Sequence, residues 1–239
     1  MTRSNPEDVE FLILECLGQA GSPLGCGAVA DYLRRHGHPV SEATAGRLLR
    51  DLDLRGYTTR AGFRGRSLTE VGLARLGSLR QSRTLSSYSS ELLEALSATR
   101  VEEVIDILVA RRAVERETAR LAAERAGPED VAALEVILDR YEKADSAAAM
   151  ARADMEFHQK LAEIAGNRVL EAATRLVHGE VATTPLPPSV SRRMHRRLAE
   201  EHRRILESIR ARDPEAAERA MVRHIEGIME AVRQHAVAH

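Results

Sequence analysis

The spacing of apolar positions predicts three short helices in roughly the first 75 residues. Apolar side chains recur every three to four residues over about 6–19, 27–35 and 41–56, as they do on the buried face of a helix. Ser41 can cap the free amides of the third helix with its hydroxyl. Glycines follow the second and third apolar runs, where helices commonly end.

A basic hairpin is predicted directly after the third helix. Strand-like residues at 57–60 and 66–68 flank Gly62 and Gly65, and the segment between them carries arginines. Three helices followed by such a hairpin are typical of a winged helix-turn-helix domain. The sequence therefore predicts this DNA-binding fold over residues 1–76.

The amino-acid composition of the chain changes twice after this hairpin. Residues 77–90 are rich in Ser, Arg, Thr and Gln, which predicts a linker, and residues 91–239 are rich in Ala, Leu, Glu and Arg with helical periodicity. Only the three prolines of ATTPLPPSV clearly interrupt that periodicity. The predicted fold is therefore mainly α, with an all-helical bundle over 91–239. Its helices are expected near 91–97, 101–126, 128–144, 147–165, 167–181, 190–211 and 214–235.

Composition agrees with two soluble domains and limits the modes of binding. Hydrophobic residues make up 44% of the 239 residues and charged residues 30%, which suits globular rather than disordered protein. A net charge of −1 excludes a uniformly basic nucleic-acid coat, and 3% aromatic residues without Trp disfavour stacking on single strands. No apolar run suits a membrane span or a secretory signal, so a cytoplasmic location is expected. Cys16 and Cys26 are expected to be buried thiols.

A local basic patch coincides with the elements that contact DNA in a helix-turn-helix. Residues 41–66 contain six arginines against three carboxylates, a local net charge of +3. The early turns of the third helix are expected near base edges, and the hairpin near phosphates or the minor groove. The alternative is an ordinary solvated helix face and loop. The expected DNA-binding residues are Ser41, Thr44, Arg47, Arg50, Arg60, Arg64 and Arg66.

Titratable side chains occupy apolar stripes on three helices of the predicted bundle. Asp154 and His158 are four residues apart on one stripe, and His202 and His224 each stand where an apolar residue is expected. A single histidine in such a position is more often a core residue with hydrogen-bonded ring nitrogens than a metal ligand. Four groups buried separately would be costly, whereas one divalent cation would satisfy them all. We therefore expect a site for Zn²⁺, Ni²⁺, Mn²⁺ or Fe²⁺.

A buried arginine side chain is also predicted, on the long helix that begins near Val101. Val104, Leu108, Arg111 and Glu115 advance by four, three and four residues, so Arg111 points inward. One interpretation is an effector-binding guanidinium beside the metal. The other is a buried Arg111–Glu115 ion pair, and both can hold together.

Two stretches resemble known domain families. The first domain, above all SEATAGRLLRDLDLRG, resembles the ribonuclease R type of winged-helix domain found in some bacterial and archaeal regulators. The runs ARRAVERETARLAAERA, ADMEFHQKLAEIAGNRVL and EEHRRILESIRARDPEAAERAMVRHI resemble the FadR C-terminal domain (FCD), the effector-binding domain of many regulators of the GntR superfamily. GntR regulators normally carry a different winged-helix signature, and ATTPLPPSV is unusual for the FCD family.

The FCD resemblance implies roles for particular residues. It implies that Asp154, His158, His202 and His224 hold a divalent metal, that a small carboxylate docks on the metal with help from Arg111, and that Asn167 faces the cavity. His195 lies seven residues before His202 on the same face and is expected to contact the effector or an extra water molecule. His178 lies off the main stripe and is expected to be an ordinary residue.

These features together predict a regulator rather than an enzyme. The expected function is that of a metabolite-responsive transcription regulator, and repression is expected over activation. It is expected to bind a double-stranded DNA operator as a homodimer and to sense a small organic acid. No membrane partner is expected. The alternatives are a metal-dependent, hydrolase-like enzyme, since an open metal position could activate water, and a direct metal sensor. Glu156 and Glu163 lie outside the inward stripe, so no general base is evident.

Overall fold

A computed structural model describes residues 6–97, 100–179 and 188–237 of the chain. It divides into two compact units, Met1–Glu91 and Leu92–His239. Each unit has its own apolar core, and the helices predicted from the sequence are confirmed with small changes at their ends, except that the one expected near 91–97 is the end of a longer helix. No helix among the described residues is both long and apolar enough to cross a membrane.

The first unit begins with three helices packed around an aliphatic core. They are α1 (Pro6–Gln19), α2 (Cys26–Arg35) and α3 (Glu42–Leu54). Ser41 caps α3 as expected, because its Oγ accepts a hydrogen bond from the amide of Thr44 at 3.2 Å. Cys16 lies in the core, whereas Cys26, also expected to be buried, is only half-buried because it is the first residue of α2.

A two-stranded hairpin, called the wing from here on, follows α3. Strands β1 (Thr58–Arg60) and β2 (Arg66–Leu68) are antiparallel, with Arg60 opposite Arg66, and a 3₁₀ turn at Gly62–Arg64 forms the tip. Leu24 pairs with Arg66 on the other side of β2. Gly65 has a φ of +115°, and a Cβ there would lie 2.1 Å from the carbonyl oxygen of Leu24. Only glycine fits this contact without displacing the backbone.

The segment predicted as a linker is helical. Helix α4 runs without a break over Glu70–Leu96, and it includes 77–90 as well as the short helix expected near 91–97. Few large apolar residues suggested a linker, but 78–96 contains neither Gly nor Pro, so nothing in it stops a helix that has begun at Glu70.

The second unit is an antiparallel bundle of long helices. Helix α5 packs along α10 and also contacts α7, α8 and α9, so it lies against most of the bundle. ATTPLPPSV covers 182–190, and most of it lies outside the described residues. The helices are α5 (Val101–Arg125), α6 (Pro128–Glu142), α7 (Ala147–Ile164), α8 (Arg168–Gly179), α9 (Pro188–Arg210) and α10 (Pro214–Val237).

Candidate metal centre and nucleic-acid interface

Four side chains from three helices converge inside the second unit. Asp154 and His158 come from α7, His202 from α9 and His224 from α10. Each can offer one ligand atom such that all four atoms lie within 4.8 Å of one another. The three histidines are buried, whereas the Asp154 side chain keeps 20% of its surface exposed. We call these four residues the histidine cluster.

The nitrogen atoms of the cluster are arranged as ligands of a common ion would be. His202 Nε2 lies 3.3 Å from His158 Nε2 and 3.2 Å from Asp154 Oδ1. His224 Nε2 has no hydrogen-bond partner among the described residues. Facing imidazole nitrogens repel unless a proton or a cation lies between them, and a buried orphan nitrogen is costly. The residues therefore fit a divalent cation with nitrogen and oxygen ligands.

Two further carboxylates contact the opposite nitrogens of the histidine rings. Glu115 Oε2, on α5, lies 2.5 Å from His158 Nδ1, and Glu201 Oε2, on α9, lies 3.2 Å from His224 Nδ1. Each carboxylate favours the proton on Nδ1 and leaves the Nε2 lone pair free to bind a metal. Sequence reasoning missed Glu201, because its partner is on another helix and no spacing along the chain connects them.

Burial and neighbouring charges set the protonation state that metal binding requires. Burial, together with the nearby His224, lowers the pKa of His202 to about 4, and burial also lowers the pKa of His224. Burial alone would raise the pKa of Asp154, but the hydrogen bond from His202 and the surrounding histidines outweigh it and hold the pKa well below its usual value. At neutral pH these two imidazoles are neutral and the carboxylate is ionised, as ligands must be.

Arg111 lies buried beside the cluster and forms the ion pair with Glu115 that the sequence allowed. Its Nε donates to Glu115 Oε1 at 2.7 Å, and a terminal nitrogen lies 2.7 Å from His178 Nε2. Since a guanidinium only donates, His178 Nε2 must accept, and the ring is neutral. Burial and the Arg111 charge lower the pKa of His178 to about 3.

The expectation that His178 is ordinary is wrong. It is buried, its Nε2 lies 3.6 Å from Asp154 Oδ2, and together with Glu115 and His158 it forms a second group that could hold a metal ion. His178 lies four residues after Thr174, which is also buried, so both are on the inward face of α8, but the sequence alone did not show which face of this helix is inward.

Two residues expected at the effector site make other contacts. His195 Nε2 donates to the carbonyl oxygen of Tyr141 at 2.8 Å, and the Tyr141 ring in turn packs edge-on against His202. Asn167 is exposed and caps the start of α8, because its Oδ1 accepts the amide of Val169 at 3.0 Å. The described contacts therefore bring neither residue into the cluster, and the expectation that Asn167 faces the cavity is not met.

The DNA-binding residues expected on the third helix share its exposed first turns. Ser41 Oγ and Thr44 Oγ1 are 3.0 Å apart, and Arg47 donates to Thr44 Oγ1 at 3.2 Å. Arg47 and Arg50 are exposed and form no ion pair with a described residue. Ser41, Arg47 and Arg50 are therefore exposed at or on α3, and the Thr44 hydroxyl is bonded to both Ser41 and Arg47.

The arginines of the wing differ in what they contact. Arg60 and Arg64 are exposed and make no ion pair with a described residue. Arg66, expected to bind DNA, is mostly covered, and its Nε donates to Asp53 Oδ2 at 2.7 Å. Asp53 also accepts from Thr58 Oγ1 at 2.5 Å. Arg66 therefore joins the wing to the end of α3, and its charge is largely balanced there.

Comparison with known proteins agrees with both units. The FCD domain family model matches residues 106–227, about half of the chain, and the chain belongs to this family. The model of the ribonuclease R winged-helix domain matches residues 11–76. Both resemblances drawn from the sequence are therefore confirmed.

A curated relative and a solved structure are similar to parts or all of this chain. The transcriptional repressor NanR of Salmonella schwarzengrund is 36% identical over 112 residues, which cover 46% of this chain and 43% of that protein. The chain thus spans less than half the length of the curated relative it matches. A Streptococcus agalactiae GntR structure is 20% identical and covers 95% of this chain and 99% of its own, with a TM-score of 0.49.

A further solved structure supports the fold. It is that of Lar, which controls the expression of the Listeria monocytogenes agr system, and it is 11% identical with a TM-score of 0.50. The match covers 98% of this chain and 99% of that one, and at this identity it shows the fold alone. Of the proteins compared, the curated relative NanR is by its name a transcriptional repressor.

Proposed function

We propose that this protein is a transcription regulator that binds an operator as a homodimer and senses a small carboxylate at a divalent metal ion. Membership of the FCD family and the match to a transcriptional repressor support the regulatory part. The observation that carries the sensing part is the convergence of Asp154, His158, His202 and His224 on a common centre.

The charges around the cluster favour an anionic effector. Arg111 and Glu115 balance each other, His178, His202 and His224 are neutral, and Asp154 contributes one negative charge. Glu201 is paired with Arg197, so a bound divalent cation would bring the remaining groups to a net charge of about +1, which one carboxylate would neutralise. The cation would supply open ligand positions for a carboxylate oxygen, and Arg111 would donate to the same anion.

The first unit supplies the DNA-binding surface. The exposed hydroxyls and arginines on the first turns of α3 suit base edges and phosphates, and Arg60 and Arg64 on the wing suit phosphates. Two copies in a homodimer would place two such surfaces on a palindromic operator. Effector binding would change how the helices around the cluster pack, and so change operator affinity.

Elemental analysis and native mass spectrometry of the purified full chain test the sensing proposal. We expect one transition-metal ion for each chain and a co-purifying organic acid. His202→Ala and the more conservative His202→Gln should both lose the ion. His36→Ala removes an exposed histidine from the first unit and should retain it. A His202 variant that keeps stoichiometric metal would refute the site.

Operator duplexes selected from a random library separate the alternatives. Affinity is measured with apoprotein, with metal alone, and with metal plus a panel of small carboxylic acids. The proposal requires the panel to change affinity beyond the effect of metal. A full response to metal alone would identify a direct metal sensor, and hydrolysis of a panel compound would identify an enzyme.

A further inference from the structure

The tip of the wing carries a large aromatic side chain that the fold does not use. Phe63 has 107% of its reference surface exposed and takes no part in the core of the first unit. Phenylalanine is among the residues most often buried, and this chain has only three of them. An exposed Phe at the end of a hairpin therefore suggests a contact with a partner.

The backbone holds Phe63 in place. The amide of Ala61 donates to the carbonyl oxygen of Gly65 at 2.8 Å, and the amide of Arg64 donates to Ala61 at 3.2 Å, which closes the tip. Leu24 and Arg66 exchange two backbone hydrogen bonds at the tip end of β2, beside Gly65. The side chain is thus presented by a short, bonded turn, and little ordering of the backbone is left for binding.

The charges beside Phe63 indicate a polyanion. Arg60 and Arg64 are exposed and unpaired among the described residues, and 57–69 contains no carboxylate. Another protein surface that buried Phe63 would also have to accommodate two unpaired guanidinium groups. A groove lined by phosphates satisfies both charges while it receives the ring.

We propose that Phe63 is a wedge that enters the minor groove of the operator and partly unstacks one base step. The minor groove is only about 6 Å wide and concentrates negative potential, so it suits a narrow turn that carries arginines. Apolar side chains inserted there separate base pairs and kink the duplex. Gly62, where a Cβ would meet nothing within 4 Å, adds no side chain that would keep the tip away from the groove walls. This inference rests on the DNA-binding function proposed above.

The test uses the full-length protein and duplexes selected from a random library with it. 2-Aminopurine, placed in turn at each position of a selected duplex, reports unstacking. With the wild-type protein, fluorescence should rise at one or two adjacent positions in each half-site. Phe63→Ala should abolish the rise and lower affinity about tenfold, because one stacking contact is lost. Phe63→Leu should keep part of the rise, since leucine also acts as a wedge.

Two controls separate the wedge from other effects. Leu54→Ala removes another exposed apolar side chain from the first unit and should change neither the fluorescence nor the affinity. Phe63→Ala should leave the dependence of affinity on salt unchanged, because it removes no charge. Arg64→Ala should reduce the slope of log affinity against log salt by about 1.

The outcomes distinguish the wedge from the function on which it rests. If Phe63→Ala and Leu54→Ala behave alike, the wedge is wrong, although loss of specific binding in Arg47→Ala would still support the DNA-binding surface. If Phe63→Ala instead changes the oligomeric state in light scattering and leaves operator affinity intact, the ring is a protein contact and the wedge is refuted. If the wild-type protein enriches no duplex, both proposals fail.

Discussion

At the scale of single residues, the position of one proton decides what each buried histidine can bind. Glu115 and Glu201 favour the Nδ1 protons of His158 and His224, so these rings present their Nε2 lone pairs. The proton of His178 has a different position, because the Nε2 of this ring accepts a hydrogen bond from Arg111. The same residue type thus serves as a candidate metal ligand or as a support for Arg111, according to its neighbour.

Glu201→Gln tests this role of the carboxylates. The variant keeps the shape of the side chain but replaces an ionised acceptor with a neutral one, so it should weaken metal binding by about 10- to 100-fold. Competition with a chromophoric chelator measures this affinity. Glu200→Gln makes the same change at the exposed neighbouring position and should bind metal as the wild type does. Equal affinities for the two variants would contradict the role given to Glu201.

The members of the cluster could be predicted from the sequence, but the residues that support them could not. His202 and His224 interrupt apolar stripes, and this interruption is visible in the periodicity of each helix. Glu201 stands in the charged run EEHRR and looks like a surface residue until α9 is placed against α10. His178 required knowledge of which face of α8 is buried. Contacts between helices carry this information, and spacing within one helix does not.

At the scale of elements, the sequence predicts where helices begin and end better than how segments connect. Capping by Ser41 and the positive φ of Gly56, at +76°, fix the limits of α3 locally. The wing depends instead on a distant contact, because Leu24 pairs with Arg66. This pairing places the backbone of Leu24 directly against Gly65, which no local pattern indicated.

Two glycine substitutions in the wing separate backbone conformation from steric contact. Gly65→Ala places a methyl group on the Leu24 carbonyl and should destabilise the wing by about 3 kcal/mol or more. Gly62→Ala meets nothing within 4 Å and has a φ of +60°, so it should cost about 1 kcal/mol. Hydrogen exchange of the amides at 58–68 measures the difference. Similar protection in the two variants would show that the Leu24 contact is unimportant.

At the scale of the whole molecule, helix α4 connects the two units without a break. Leu76 and Leu79 near its start are buried in the core of the first unit, and Leu96 at its end packs with Ile107 in the second. The intervening residues include several serines, which are weaker helix formers than alanine. A continuous helix with weak helix-forming residues can transmit a conformational change from one end to the other only while it remains folded.

Substitutions in the exposed middle of α4 test whether its continuity couples effector to operator. Ser86→Gly with Ser89→Gly should weaken the helix by roughly 1 kcal/mol, whereas Ser86→Ala with Ser89→Ala should strengthen it by a similar amount. Binding of metal, effector and operator taken separately should stay near wild-type values in both variants. The effector-induced change in operator affinity, expected at about 5- to 150-fold in the wild type, should shrink in the glycine variant and persist in the alanine variant. Fluorescence anisotropy of a labelled operator, with and without effector, measures it. An undiminished change in the glycine variant would mean that the signal passes between the units by contacts other than the α4 backbone.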